Sequence, residues 1–204
     1  THWTSRAAAD IPGLGPKIIE QLMGAGLVSD PSDLYALKKD DLLLLDRFAE
    51  ISVTKLLKTI GARTKLPLER FLFAIGINHI GEESARRLAS ALPSWAKKRK
   101  LDLATPRSVG RVFARLTPAE LAELPDIGEV VAASISDWAG DARNRDFLER
   151  LTERGIRILV PARKKVSGAL DGKTFVLTGT LDRLTRDEAK ATIREHGGSV
   201  TGTV

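Results

Sequence analysis

A chain of 204 residues, 43% of them hydrophobic, holds one medium or two small domains and is long enough for a genuine core. It has no cysteine, which excludes a disulfide frame and a thiolate metal site within these residues, and no apolar run long enough to cross a bilayer, so a cytoplasmic protein is expected. Thirty-two Lys and Arg against 26 Asp and Glu leave a net charge of +6, which favours a polyanionic partner.

From the N-terminus onward the chain repeats one pattern four times around a tight turn, with second turn positions at Gly15, Ala49, Gly81 and Gly128. Counted from each, the residues at −7, −4, −1, +4 and +7 are apolar in every copy. They are Ala8, Ile11, Leu14, Ile19 and Leu22; Leu42, Leu45, Phe48, Val53 and Leu56; Ala74, Ile77, Ile80, Ala85 and Leu88; and Leu121, Leu124, Ile127, Ala132 and Ile135. At this apolar content such agreement arises by chance on the order of once in 10⁷, so the repeat is real. Spacings of three and four on both sides of a turn predict two short amphipathic helices whose apolar middle residue plugs the core. The glycine after the plug is expected to take a left-handed or crowded conformation and to let a partner approach. Phosphate suits such a turn, because a helix N-terminus presents backbone N–H groups and the positive end of the helix dipole. Contacts of that kind ignore base identity. Irregular intervals between the turns argue against a stacked solenoid.

Between the first two repeats, Asp30-Pro-Ser-Asp33 has turn and helix-cap chemistry. Repeat two, Arg47-Phe-Ala-Glu-Ile51, has alanine for glycine and Ile51 where a basic residue would help, so it is expected to be mainly structural. Lys65-Leu-Pro67 opens a second pair of repeats, giving pairs over residues 1–64 and 65–160. Lys97-Lys-Arg-Lys100 is the densest basic run, a solvated loop or an extra phosphate contact. Residues 161–169 form a basic linker. Beyond it Thr174–Thr178 predicts a buried strand, Arg186–His196 a helix, and residues 199–204 a second strand: one βαβ unit with too little core to stand alone. Trp3, Trp95 and Trp138 are expected in the helical core.

Ile11-Pro-Gly-Leu-Gly-Pro-Lys17, Gly76-Ile-Asn-His-Ile-Gly81 and Leu124-Pro-Asp-Ile-Gly128 resemble helix-hairpin-helix DNA-binding motifs. Their order, with Ser5-Arg-Ala before them and Gly172-Lys-Thr-Phe-Val-Leu-Thr-Gly-Thr-Leu181 after them, resembles the C-terminal half of bacterial NAD-dependent DNA ligases along essentially the whole chain. The resemblance implies a mainly α fold: four helix-hairpin-helix repeats in a compact DNA-binding domain over 1–160, then the truncated α/β start of a BRCT domain over 170–204. It implies DNA contacts from Gly13, Gly15, Lys17, Arg47, His79, Gly81 and Gly128, and phosphate binding by Thr178 and Gly179. Asp126 is expected to cap its turn or helix, and His79 either donates to phosphate or stabilises its turn. Thr178 and Gly179 have an equal alternative role in shaping a strand-to-helix turn. The parent enzyme would use NAD, Mg and a structural Zn, none bound by these residues, and would act as a monomer on nicked duplex DNA in replication and repair.

No catalytic constellation is visible. His2, His79 and His196 are far apart, and no Lys-x-Asp-Gly adenylation signature occurs; Leu170-Asp-Gly-Lys173 has those letters in the wrong order. The segment by itself is therefore expected to be inactive. Two other readings stay open: the hairpin portion of a repair nuclease or branch-migration factor, and a scaffold whose hairpins are packing corners.

Overall fold

In a computed structural model the structure describes residues 1–125, 127–160, 168–170, 172–179, 181 and 183–201, apart from the side chain of Asp187. Contacts divide the chain into two compact units, Thr1–Val160 and Pro161–Val204. The first runs through helix α1 (Pro16–Gly24), a 3₁₀ turn (Pro31–Ala36), α2 (Lys39–Leu43), α3 (Glu50–Ala62), strand β1 (Lys65–Pro67), α4 (Leu68–Ala74), α5 (Glu82–Lys98), α6 (Pro106–Phe113), α7 (Pro118–Ala122), α8 (Glu129–Gly140), α9 (Ala142–Glu153) and β2 (Arg157–Leu159).

Local chemistry explains the boundaries. Proline at the first position presets φ for α1, the 3₁₀ turn, α6 and α7. Thr105 with Ser108, and Thr117 with Glu120, form reciprocal capping boxes. Asp30 accepts from the Ser32 N–H at 2.8 Å, and Asp33 accepts from the Asp30 N–H at 3.1 Å, so the cap chemistry expected at 30–33 is realised in a 3₁₀ turn. The repeat positions face inward as the spacing requires. Leu45, Phe48 and Leu124 are half-buried against the core and the other repeat positions are buried. Burying a leucine such as Leu22 contributes roughly 2 kcal/mol. Trp3 and Trp95 are buried and Trp138 is half-buried in the same core.

One expectation fails locally and another is incomplete. The first arm of repeat one is not a helix: residues 2–9 form successive turns, with Ser5 N–H on His2 O and Ala8 N–H on Ser5 O, both at 3.1 Å. This segment is held instead by side chains of both repeat pairs. Arg70 donates to Ala8 O at 3.0 Å and to Arg6 O, Arg63 donates to Asp10 O at 2.7 Å, and the Trp3 indole donates to Tyr35 Oη at 3.1 Å. Long-range partners hold its carbonyls where a regular helix would have used them internally. Second, Lys65-Leu-Pro67 does more than open the second pair. It forms a parallel ladder with β2, with Lys65 opposite Arg157, Leu66 opposite Ile158 and Pro67 opposite Leu159.

In the second unit β3 (Thr174–Val176) pairs in parallel with β4 (Ser199–Thr201), and α10 (Arg186–Glu195) connects them. The strand is two residues shorter than expected, and the helix ends one residue earlier with His196 as its C-cap. Thr185 and Glu188 cap α10 reciprocally. Most of the linker, residues 161–167, and the last three residues of the expected final strand lie outside the described residues.

Candidate nucleic-acid interface

The same hydrogen bond closes all four turns. The plug N–H donates to the carbonyl three residues back: Leu14 to Ile11 at 3.3 Å, Phe48 to Leu45 at 3.3 Å, Ile80 to Ile77 at 3.1 Å and Ile127 to Leu124 at 3.1 Å. The next residue is the N-cap of the following helix, with extended backbone (φ −75° at Gly15, −95° at Ala49, −86° at Gly81 and −75° at Gly128), and its carbonyl accepts the first intrahelical bond. Each turn therefore aims a helix N-terminus outward.

The left-handed residue is not the one the sequence suggested. It is the residue before the plug: Gly13 at φ 93°, Arg47 at 65° and His79 at 65°. A β-turn with its hydrogen bond closed over a third residue of positive φ demands this. Asp126, the matching residue of repeat four, lies outside the described residues. Gly15, Gly81 and Gly128 have ordinary φ, and a Cβ added to any of them meets nothing within 4 Å. Neither the backbone nor the protein's own packing calls for glycine at these three positions. What glycine leaves there is unobstructed access to the N-cap N–H. Arg47 and His79 carry the opposite signal: each holds a side chain in a conformation that costs about 1 kcal/mol, and both are exposed.

The four helix starts differ electrostatically. α1 has no acidic residue in its first turn and places the exposed Lys17 at its second position. Glu50 begins α3, Glu82 and Glu83 begin α5, and Glu129 begins α8. Carboxylates there complement the helix dipole as a phosphate would, and they repel a phosphate. Some are partly neutralised: Lys39 donates to Glu50 at 2.6 Å, holding its carboxyl below the usual glutamate range, and Arg86 donates to Glu83 at 2.7 Å. In hairpin two the Ala49 N–H is taken by Ser52 Oγ at 3.0 Å, and Ile51 is 86% exposed. Hairpin one is thus the one whose first helical turn carries no carboxylate to repel an anion. Gly13, Lys17 and Arg47 line one shared groove between hairpins one and two.

The basic run 97–100 lies at the far end of α5, about 25 Å from Gly81 at 1.5 Å per residue. Arg99 is turned inward, donating to Arg115 O at 3.2 Å and to Glu120 at 2.5 Å, and Lys100 takes φ 55° where the helix stops. Half of the run therefore terminates and anchors a helix. In the second unit Gly179 has φ 71°, and Arg186 donates to Gly179 O at 3.0 Å and Leu177 O at 3.4 Å, so a guanidinium absent from the sequence reading sits beside Thr178 and Gly179. Its bonds to these carbonyls give the loop a structural reason for its shape. Lys55 lines the same groove between hairpins one and two, and nothing in the repeat marks it.

Known families match both parts of this architecture. The family described as helix-hairpin-helix motif matches residues 70–148, from α4 through hairpins three and four into α9. The BRCT (BRCA1 C Terminus) domain family matches residues 165–204. The chain thus combines helix-hairpin-helix repeats with the start of a BRCT domain. Similar relatives are a DNA ligase of Geobacter metallireducens, 41% identical over 203 residues, one of Pelotomaculum thermopropionicum, 39% over 204, and one of Trichlorobacter lovleyi, 40% over 203. Each match takes in 100% of this chain and 27–28% of the relative, so the chain spans little more than a quarter of their length. Along all of its own length it is similar to the C-terminal portion of a bacterial DNA ligase. Among the described residues no helix is long and apolar enough to cross a membrane.

Proposed function

We propose that this chain is the DNA-gripping portion of an NAD-dependent DNA ligase, and that it holds duplex DNA through backbone phosphates on both sides of the minor groove near a nick. The observation that carries the reading is the closing hydrogen bond and extended N-cap shared by all four hairpins, with a helix N-terminus aimed outward and, in three, a glycine that neither φ nor packing requires. Backbone N–H groups at such sites accept any sequence, as a sealing enzyme needs.

The chain supplies position and no reacting group. In the parent, a lysine elsewhere would be adenylated by NAD, AMP would pass to the 5′-phosphate at the nick, and the 3′-hydroxyl would displace it. Aligning the two ends lowers the entropic cost of that last step. NAD, Mg and Zn would be held by other parts of the enzyme, since this chain lacks the adenylation signature and has no cysteine. Removing residues 1–160 from the full enzyme is expected to abolish nick sealing while leaving NAD-dependent self-adenylation intact. Loss of both activities, or of neither, would contradict the reading.

A further inference from the structure

Between α1 and α3, behind the turns of hairpins one and two, lies a groove of about 510 Å³. Ile18, Phe48 and Leu56 give it an apolar floor, and Lys17, Arg47 and Lys55 stand among its lining residues as exposed cations. Gln21 donates to Asp46 O at 2.9 Å and fixes α1 to the turn of hairpin two. The chemistry is mixed: an apolar ligand would have no use for three cations, and a lone phosphate no use for an apolar floor. A sugar–phosphate strand alternates the two, deoxyribose against phosphate.

We propose that this groove seats a stretch of one strand's sugar–phosphate backbone, with Lys55 as a phosphate ligand beyond the turns. The inference rests on the DNA-binding reading and extends it from the turns to the space between them. Its second support is continuity, because Gly13 and Arg47 line the groove and belong to the turns themselves. Lys55 lies five residues past Glu50, about 8 Å along α3, an axial distance of roughly two phosphates on one strand. Hairpin two then has a function its own helix start does not provide: it walls the groove and supplies Arg47 and Lys55.

The test is salt-titrated binding of this chain to intact duplex, comparing Lys55→Ala with Lys58→Ala, a lysine on the same helix that does not line the groove. Losing one phosphate contact lowers the slope of log K against log salt by about 0.9, so Lys55→Ala should show that decrease and several-fold weaker binding at low salt. Lys58→Ala should leave the slope unchanged. The combined Lys17→Ala, Arg47→Ala and Lys55→Ala variant should lose about 2.7 from the slope. Thr59→Trp, which adds bulk to the groove and removes no cation, should weaken binding at unchanged slope; melting temperatures of all variants establish that they fold. The proposal is overturned if Lys55→Ala leaves the slope unaltered while Gly15→Val still weakens binding, or if Lys58→Ala costs as much as Lys55→Ala. Salt-independent binding that ignores Gly15→Val as well would instead defeat the DNA-binding reading itself.

Discussion

Hairpin one opens α1 with Gly15, Pro16 and Lys17, whereas hairpin two opens α3 with Ala49, Glu50 and Ile51 on the same turn geometry. Both close the turn with a 3.3 Å hydrogen bond and put a residue of positive φ before the plug. The first turn leaves its N-cap N–H without a side-chain cap and adds a cation; the second gives its N-cap N–H to Ser52 and pairs its carboxylate with Lys39. Backbone shape is therefore common to the two, and the side chains of the first helical turn decide which can cradle an anion. The half-buried Leu45 and Phe48 show that hairpin two is also the looser plug.

The largest expected effect separates grip from fold. Gly15→Val should change the melting temperature little, since the Cβ enters open space at an extended φ, yet block phosphate from the N-cap. Losing a charge-assisted backbone contact costs about 2 kcal/mol, or roughly 30-fold in duplex affinity. Ala49→Val should cost less than about threefold, because that N–H is already occupied. Equal losses at the two sites would erase the distinction between the hairpins.

Converting hairpin two into a copy of hairpin one is the next test. Glu50→Ala with Ile51→Lys should raise duplex affinity about tenfold at low salt and steepen the salt slope by about 0.9, one added phosphate contact. The Lys39–Glu50 ion pair is lost in this variant, but it is exposed and its loss should barely register in thermal unfolding. Arg47→Gly sets stability against function. Relieving a left-handed non-glycine residue should stabilise the unit by about 1 kcal/mol, or roughly 3 °C, while binding weakens several-fold. Stability and affinity moving in the same direction would mean that Arg47 is kept for the turn alone.

The smallest effect concerns the frame beneath both hairpins. Asp30 lies between them in sequence and accepts from Arg150 at 2.5 Å. Burial raises the pKa of its carboxyl, but hydrogen bonds from Ser32 and Arg150 outweigh this and hold it below the ordinary 3.8. A carboxyl depressed in the folded state contributes stability above its unfolded pKa and loses it as pH falls through the folded value. Acid should therefore destabilise the helical unit below about pH 4, and Asp30→Asn should flatten that dependence by a few tenths of a kcal/mol for so exposed a pair. Tryptophan fluorescence, from the buried Trp3 and Trp95, reads it directly.

Much of this was legible in the residues because the signals are local. Apolar spacing around Gly15, Ala49, Gly81 and Gly128 located the plugs and the buried faces, and Asp30 stands where a cap forms. The left-handed position was misplaced because two of its occupants, Arg47 and His79, are not glycine and carry no mark of positive φ. The irregular first arm of hairpin one and the β1–β2 ladder depend on partners distant in the chain, Arg70 and Arg157 among them, and no window of sequence contains both ends. Arg99 was misassigned for a related reason: composition counts its charge, but only packing shows it facing Glu120. The groove and Lys55 required two hairpins to be placed side by side.

The most direct test of the account is duplex binding by this chain across a salt series, with the native sequence beside Gly15→Val and Gly15→Val combined with Gly81→Val, all at unchanged melting temperature. The account predicts affinity that falls steeply with salt in the native chain, a large loss in the single variant and near-abolition in the double. Binding that is absent, or that survives both substitutions, would show that the turns are corners of the fold and not its grip on DNA.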